Sequence, residues 1–560
     1  MRNEKQALAI EHFTGPCLVI AGPGSGKTKC LVERVSHLIF AHNISPEKIL
    51  VLTFSKDAAD EMKARFVKQS SLRGKMPFFG TFHSFFFSVL KDELGLNSHS
   101  ILSHNEALKL IKKVCLNRKV FIENSDLQNV LKEISCCINK DIAPEEFESK
   151  LLNTKFAQVF YDYRREKEVC KMIDFDDMQM KVYELFLQKE KILKKWQKRF
   201  EFVLLDEVQD INKPQFLIMK LLVKPHQNLF AVGDDDQSIY AFRGAVPGIV
   251  HSFPNEFLNL KIIVLNVNYR SHKRIVAVSS RFIAHNKNRF EKEYKSFSDA
   301  NGVVKYFQFD NEQKECEYIF NEIIKAEGET IGVLYRNNRE GLLLSRFLER
   351  KEICYFAKEC FSYQSQNEIL NDVISFLGDY YHVEDNHCKS NFKLHLQEDA
   401  FVPNSYGSLF NMFRKAWGYE NYLKEKYGRD SMQFEECLYY LSEIQCLLKN
   451  YQKNTNILDV LRDLKKLKMK ENFRTDVKSD ARVFLYTYHG SKGLEFDRVF
   501  CINVNEGIVP GVLCSEDLEE ERRMFYVAIT RAKHNLSVCC IKNRGGKSLS
   551  PSEFINEMKA

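Results

Sequence analysis

The sequence predicts an α/β fold with two parallel-sheet units in one chain, each interrupted by a mainly helical insertion. Three observations carry this expectation. A buried-strand pattern runs straight into a glycine-rich turn and a helix start at CLVIAGPGSGKTK, Cys17 to Lys29. Short apolar strand patterns alternate with amphipathic helices on both sides of residue 273, as parallel strands require, because each connection must be long enough to hold a crossover helix. Between these stretches, residues 93–195 and 381–475 lose the strand pattern and become polar, helix-like sequence.

Composition limits the function classes. With 560 residues, three or four domains are expected. Hydrophobic content of 44% with 28% charged residues is ordinary for a globular protein. A net charge of +7 permits a polyanionic partner without requiring one. No apolar run is long enough to span a bilayer, and MRNEKQALAIEHF has no signal-peptide core. The expectation is therefore a cytoplasmic protein with no membrane partner. The 16 cysteines include no C-x-x-C pair. The adjacent pairs Cys136-Cys137 and Cys539-Cys540 are poorly arranged for a metal cage and read as buried thiols.

Taken in order, residues 3–12 form a short predicted helix. Gln6 on it has an amide able to read an adenine edge, or is simply a surface helix residue. Leu18, Val19 and Ile20 form the strand. Ala21, Gly22, Pro23, Gly24, Ser25 and Gly26 then turn the chain into a helix that begins at Lys27 and Thr28. Successive N–H groups and a helix N-terminus make an anion cradle. Lys27 is placed to reach the β/γ-phosphates and Thr28 to ligate Mg²⁺. Ala21 holds the position usually given as the first glycine of this P-loop spacing; a small residue still lets the turn close.

The strand Ile49–Thr53 leads to Phe54 and an amphipathic helix. FFGTFHSFFFSVL centres on Thr81 and His83, while Phe85, Phe86 and Phe87 are expected in the core. Hydroxyls and rings at strand-to-helix junctions suit a single-stranded nucleic acid. The strand pattern returns at EFVLLDEVQD, where Asp206 can hold Mg²⁺ and Glu207 can polarise an attacking water. In LFAVGDDDQSIYAFRGA, Gln237 is suited to sensing a γ-phosphate, and Tyr240, Phe242 and Arg243 to holding a stacked base and its phosphate. NVNYRS adds Tyr269 and Arg270, a ring for a nucleobase and a cation for a phosphate. Strands are then expected at 303–309, 331–335, 353–357, 483–487, 499–504 and 535–541. Arg531, after an apolar helix, has the character of an arginine finger.

Read together, NEKQ, AGPGSGKT, LTFSKDAADEMK, GTFHS, DFDD, LLDEVQD, VGDDDQSIYAFRGA, NYRS, YHGSKGLEF and EEERRMFYVAITRAK resemble the UvrD/Rep/PcrA family of superfamily 1 DNA helicases. The resemblance implies two RecA-like domains. Domain 1A would comprise 1–92 and 196–272 with insertion 1B at 93–195; domain 2A would comprise 273–380 and 476–560 with a short insertion 2B at 381–475. It implies ATP with Mg²⁺ as cofactors, single-stranded DNA and single/double-strand junctions as partners, and 3′ to 5′ translocation.

It further implies that Gln6 reads adenine, Tyr269 stacks on it and Glu495 touches the ribose. The phosphates would be held by Lys27 and Thr28, Mg²⁺ by Thr28 and Asp206, with Glu207 as base and Gln237, Arg270 and Arg531 at the γ-phosphate. DNA contacts would come from Thr53, Phe54, Thr81, His83, Tyr240, Phe242, Arg243, Thr487 and His489. Two departures stand out: Lys29 replaces an arginine that often packs on the base, and 2B is short with no arginine-glycine-isoleucine-glycine run. Two functions follow from this reading. One is a helicase of repair or replication restart. The other is a DNA-stimulated accessory or sensor ATPase beside a partner nuclease, as in anti-phage defence. A P-loop kinase or GTPase leaves the second unit's arginines and the stacking rings unexplained.

Overall fold

The computed structural model describes residues 3–70, 74–122, 126–241, 244–246, 248–357, 363–383, 405–428, 432–466, 481–511, 515–544 and 547–559. The chain forms two compact units. The first takes Met1–Gln308, Ser491–Lys542 and Gly546–Ala560; the second takes Phe309–Gly490 and Asn543–Gly545.

The first unit is built on a six-stranded sheet of β1 (Cys17–Ala21), β2 (Ile49–Thr53), β3 (Phe78–Thr81), β4 (Phe202–Leu205), β5 (Leu229–Gly233) and β6 (Lys261–Leu265), in the order β3-β2-β4-β5-β1-β6. Every pairing in it is parallel. The residues of β1, β2, β4 and β5 are all buried, which is why CLVIA, ILVLT, FVLL and LFAVG read as continuous apolar runs instead of alternating ones. One face packs under Phe85, Phe86, Trp196 and Phe216; the other under Val35, Leu38, Met62 and Phe66. Phe87 packs partly buried against the first face, so the three phenylalanines are core as expected. Although β2 follows β1 in the chain, β4 and β5 lie between them. The turns leaving β1, β4 and β5 therefore emerge together at one edge of the sheet, where open α/β sheets bind ligands.

The 93–195 segment is helical, with helices at His104–Asn117, Leu127–Lys140, Phe156–Val169, Phe175–Gln188 and Glu190–Arg199. The first three share a core around Ile111, Val130 and Phe160, while Met178, Val182 and Trp196 of the last two join the sheet core. The first unit also holds the parallel strands Phe496–Cys501 and Ala532–Arg544, the latter up to Lys542. Its helix Lys273–Ile283 packs against helices Ser515–Ile529 and Glu553–Lys559.

In the second unit, strands Ile331–Tyr335 and Val483–Thr487 pair in parallel, with Phe356–Ala357 beside the latter. Helices Tyr363–Tyr380, Tyr406–Asn411, Tyr419–Tyr427, Met432–Leu448 and Ile457–Lys466 follow. They close on an aromatic core that includes Phe376, Phe410, Phe413, Tyr419 and Tyr440.

Two strands differ from expectation. The strand expected at 353–357 shrinks to Phe356–Ala357, because Lys351 and Ile353 spend their N–H groups capping the preceding helix and Glu352 turns at φ +56°. The strand expected at 499–504 runs instead over Phe496–Cys501 and ends before Asn503, which turns at φ +53°. Cys137, Cys539 and Cys540 are buried thiols and Cys136 is half-buried, but Cys170, Cys354 and Cys446 lie at the surface. Among the described residues, no helix is long and apolar enough to cross a membrane.

Candidate functional site

The phosphate turn is shaped by three glycines. Gly24 and Gly26 sit at φ +66° and +85°, the left-handed region that side chains disfavour. A Cβ on Gly22 would fall 2.2 Å from the Tyr294 ring, and one on Gly24 would fall 2.6 Å from Arg270 Cβ. The helix Lys27–Phe40 starts without a side-chain cap, so its first N–H groups are left for a ligand. Ala21 is buried at the end of β1. Pro23 lies in the turn, and Ser25 Oγ donates to the Gly22 carbonyl at 2.7 Å. Gln6 is buried and faces this turn; its Nε2 donates to the Ser25 carbonyl at 2.9 Å, and its Oε1 accepts from Asn3 N at 3.3 Å. Its amide thus holds the turn in place. Lys29 is exposed and points along its helix to Glu33, 3.9 Å away.

The acids follow β4. Asp206 is buried and its Oδ1 has no hydrogen-bond partner. Glu207 adopts φ +51°, a conformation costing a non-glycine residue about 1–2 kcal/mol; such strain is typical of functional turns. Its Oε1 lies 3.7 Å from Lys27 Nζ and its Oε2 accepts from Gln209 Nε2 at 2.5 Å. Burial, and then the neighbouring Glu207 charge, push the Asp206 carboxyl up. Burial would raise Glu207 too, but Lys27 and Lys492 outweigh it and hold the carboxylate down. Two adjacent acids are thereby driven apart, with Glu207 the ionised member. A buried, unpartnered carboxylate oxygen beside an uncapped phosphate turn fits a divalent cation, with Thr28 at the start of the helix as the second donor.

After β5, Gln237 is held from both sides. Its Nε2 donates to Asp234 Oδ2 at 2.6 Å, and its Oε1 accepts from Arg531 Nη2 at 3.2 Å. Asp234, Asp235 and Asp236 lie close enough together to hold a cation. Lys292, fully buried, fills that role: its Nζ lies 2.8 Å from Asp234 Oδ1 and from Asp236 Oδ2, and it also contacts Asp235. Burial alone would depress the Lys292 amine; the three carboxylates outweigh it and raise it. Arg289 grips Asp236 in two bonds of 2.9 and 2.7 Å.

The remaining cations come from distant sequence. Arg531 is 2% exposed and donates to the Val527 carbonyl at 2.8 Å as well as to Gln237. Burial, and then Arg270, disfavour its charge. Arg270 donates to Glu495 Oε2 at 2.8 Å and to the Thr530 carbonyl at 3.2 Å. Tyr269, 37% exposed, donates its N–H to the Gly24 carbonyl at 2.8 Å, which leaves its ring at the rim of the turn beside Phe297. Lys492 donates to the Gln237 carbonyl at 2.9 Å and contacts Asp210, and its Nζ lies 5.0 Å over the Tyr240 ring. Sequence reading singled out neither Lys492 nor Lys292. Each was legible only as one more lysine, in GSKGLEF and in FEKEY.

The expected nucleic-acid residues divide. Phe54 and Tyr240 stack at 5.0 Å and 11°, directly under Lys492. Phe54 and His83 line a 620 Å³ cleft with Phe175, which is 56% exposed and meets His83 edge-on at 5.1 Å. Thr53, 1% exposed, lies beneath the surface, and its Oγ1 has no hydrogen-bond partner. Thr81 caps a helix, accepting from Ser84 N at 3.1 Å. Thr487 accepts from Gly490 N at 3.1 Å and, with His489, belongs to the second unit. Phe242 and Arg243 lie outside the described residues.

Fold and site define a P-loop nucleotide-binding α/β protein whose phosphate site is completed by cations from far along the chain. Residues 2–258 match the UvrD/REP helicase N-terminal domain, and residues 263–398 and 384–543 match the UvrD-like helicase C-terminal domain. The chain is similar to the ATP-dependent DNA helicase Rep of Buchnera aphidicola, at 30% identity over 99% of this chain and 96% of the relative. It is also similar to the ATP-dependent DNA helicase PcrA of Bacillus subtilis (29%, covering 99% and 85%) and to Rep of Escherichia coli (29%, covering 99% and 94%). The chain belongs to the UvrD/REP helicase family. The alignments run to 638, 641 and 638 positions against 560 residues here, so these relatives carry segments this chain lacks. The C-terminal match comes in two stretches that overlap at 384–398, inside the insertion expected to be short.

Proposed function

We propose that this chain is an ATP-dependent DNA helicase that moves 3′ to 5′ on single-stranded DNA. The observation that carries the proposal is the convergence of Lys27, Arg531 and Lys492 on Glu207, Gln237 and Asp210. This gathers a phosphate turn, an ionised acid and two cations from remote sequence at one edge of one sheet. Lys27 and the helix N-terminus bind phosphates, and Tyr269 offers a ring for the base. Glu207, held ionised, is the acceptor for a proton from the attacking water. Gln237 orients that water, while Arg531, Arg270 and Lys492 meet the charge that develops on the phosphoryl oxygens. Mg²⁺, when bound by Thr28 and Asp206, supplies further neutralisation of phosphate charge. The four-part division into 1A, 1B, 2A and 2B, and a cytoplasmic setting, belong to the same reading.

Coupling to DNA rests on Lys492. It bridges Gln237 and Asp210 to the face of Tyr240, which stacks on Phe54. A change at the γ-phosphate sensor thus reaches a ring suited to stacking a base. The short 2B insertion points to low processivity; the accessory-subunit alternative has no separate observation in its favour. The test is unwinding of a forked duplex with a 3′ tail. ATP-dependent strand separation that fails on a 5′-tailed fork is the expected result. DNA-stimulated ATP hydrolysis without separation at any enzyme concentration would overturn the helicase reading.

A further inference from the structure

A second site lies in the same unit, built from elements the proposed reaction does not use. Helix Lys273–Ile283 turns Arg274, Ala277, Val278 and Arg281 to one face, the spacing that aligns side chains along a helix. Strand Val303–Asn311 adds Val304 and Tyr306 from one of its faces, and helix Glu553–Lys559 adds Met558 and Lys559. Together these eight residues line a 470 Å³ cavity.

The chemistry of the lining is uneven. Its floor is apolar, with Val278, Val304 and Met558 buried. Its rim carries Arg274, Arg281 and Lys559, all exposed. Among the described residues none of these cations has a carboxylate partner. Arg281 donates only to the Met558 carbonyl at 3.3 Å, and Lys559 lies 5.0 Å over the Tyr306 ring. The nearest acid in the sequence, Glu557, is spent on Arg522 in bonds of 2.8 and 2.7 Å, and Asp299 is spent on Lys273. The cavity thus gathers three cations around an apolar floor, with the neighbouring acids Glu557 and Asp299 committed to other partners.

We propose that this cavity docks an acidic peptide segment of a partner protein, seating an apolar side chain on the Val278–Val304–Met558 floor and carboxylates on Arg274, Arg281 and Lys559. The two arginines are seven residues apart, roughly 10.5 Å along the helix axis, a reach that matches carboxylates on either side of an apolar residue. Arginine's planar fork suits carboxylate in two parallel bonds. A nucleic acid fits less well: Lys559 already covers a face of the one aromatic ring, Tyr306, and a phosphate chain has no use for an apolar floor. The inference does not depend on the helicase reading.

The probe is a fluorescein-labelled peptide of two leucines flanked on each side by two aspartates, titrated into the full chain and followed by anisotropy. Saturable binding is expected. It should weaken about tenfold or more in the Arg274→Glu/Arg281→Glu double variant and with a peptide carrying asparagine for aspartate. A Val278→Ser variant should weaken it while leaving ATP hydrolysis unchanged, which checks the floor separately from the charge. Equal binding by wild type and the double variant, or no binding by a wild-type chain that still hydrolyses ATP, would overturn the proposal. So would displacement of the peptide by a single-stranded oligonucleotide whose own binding the double variant abolishes, because the pocket would then serve nucleic acid.

Discussion

Replacing Lys292 by methionine is the sharpest perturbation the structure offers. Lys292 is fully buried and is the common partner of Asp234, Asp235 and Asp236. Arg289 compensates only Asp236, and the imidazole of His251 stands 3.7 Å from Asp235. Methionine keeps the length and apolar stem but leaves buried carboxylates without their counter-charge. Breaking a buried ion pair in this way costs about 3–5 kcal/mol, a large share of the roughly 5–15 kcal/mol that stabilises a domain. The chain's two tryptophans, Trp196 and Trp417, fall in different units. In a Trp417→Phe background, the fluorescence of buried Trp196 therefore reports the first unit alone during urea unfolding. Lys292→Met should lower that unit's stability by about 3 kcal/mol or more. Adding Asp235→Asn, which removes one of the stranded charges, should restore part of it. In the folded fraction, kcat should fall with little change in the KM for ATP, because Asp234 holds Gln237 at 2.6 Å. A stability loss under about 1 kcal/mol, the value of a surface pair, would refute the reasoning, as would a double variant less stable than the single one.

Three further outcomes are expected. Lys27→Ala should abolish ATP hydrolysis while single-strand affinity measured by anisotropy stays largely intact; retained turnover would remove Lys27 from the phosphate site. Gly22→Ala should cut ATP hydrolysis sharply, since its Cβ would fall 2.2 Å from the Tyr294 ring, and Tyr294→Ala should rescue it; failure of the rescue would mean the glycine serves the ligand, not the tyrosine. His83 is held below its ordinary value of 6.5 by burial, so its neutral form is the one the fold prefers. The stability this contributes is present above pH 6.5 and is lost as pH falls through the lowered value. The melting temperature of wild type should accordingly drop more between about pH 7.5 and pH 5 than that of His83→Gln; parallel profiles would contradict it.

Much of this was legible in the sequence. CLVIA and ILVLT became strands over the expected residues because a doubly covered parallel strand is apolar throughout and has no other place to go. Asp206, Glu207, Gln237 and Arg270 stood out as candidates because each sits at a strand end or turn with its chemistry in a short, ordered motif, and Glu207 and Arg270 do lie against the phosphate turn and its lysine. What stayed hidden was partnership. Gln6 reads as a base-recognising amide, yet it is bonded to the turn at Ser25. Lys29 reads as a possible ring-packing cation, yet it faces Glu33. Thr53 reads as a contact residue, but it ends a strand covered on both faces and is 1% exposed. Lys292 and Lys492 escaped notice because a lysine's role depends on which acids the fold brings to it, and those acids lie 57 and 282 residues away.

Those separations also set an order of assembly. Arg531 reaches Gln237 across 294 residues of chain, with nearly the whole second unit lying between them. On the ribosome, the phosphate turn, both acids and Gln237 emerge long before either remote cation exists. The early chain therefore has the cradle, and soon Arg270, well before Lys492 and Arg531. Contacts this long-range are also the slowest to form. If Arg531 and Lys492 act as proposed, the growing polypeptide would hydrolyse no nucleotide until its last strands arrive.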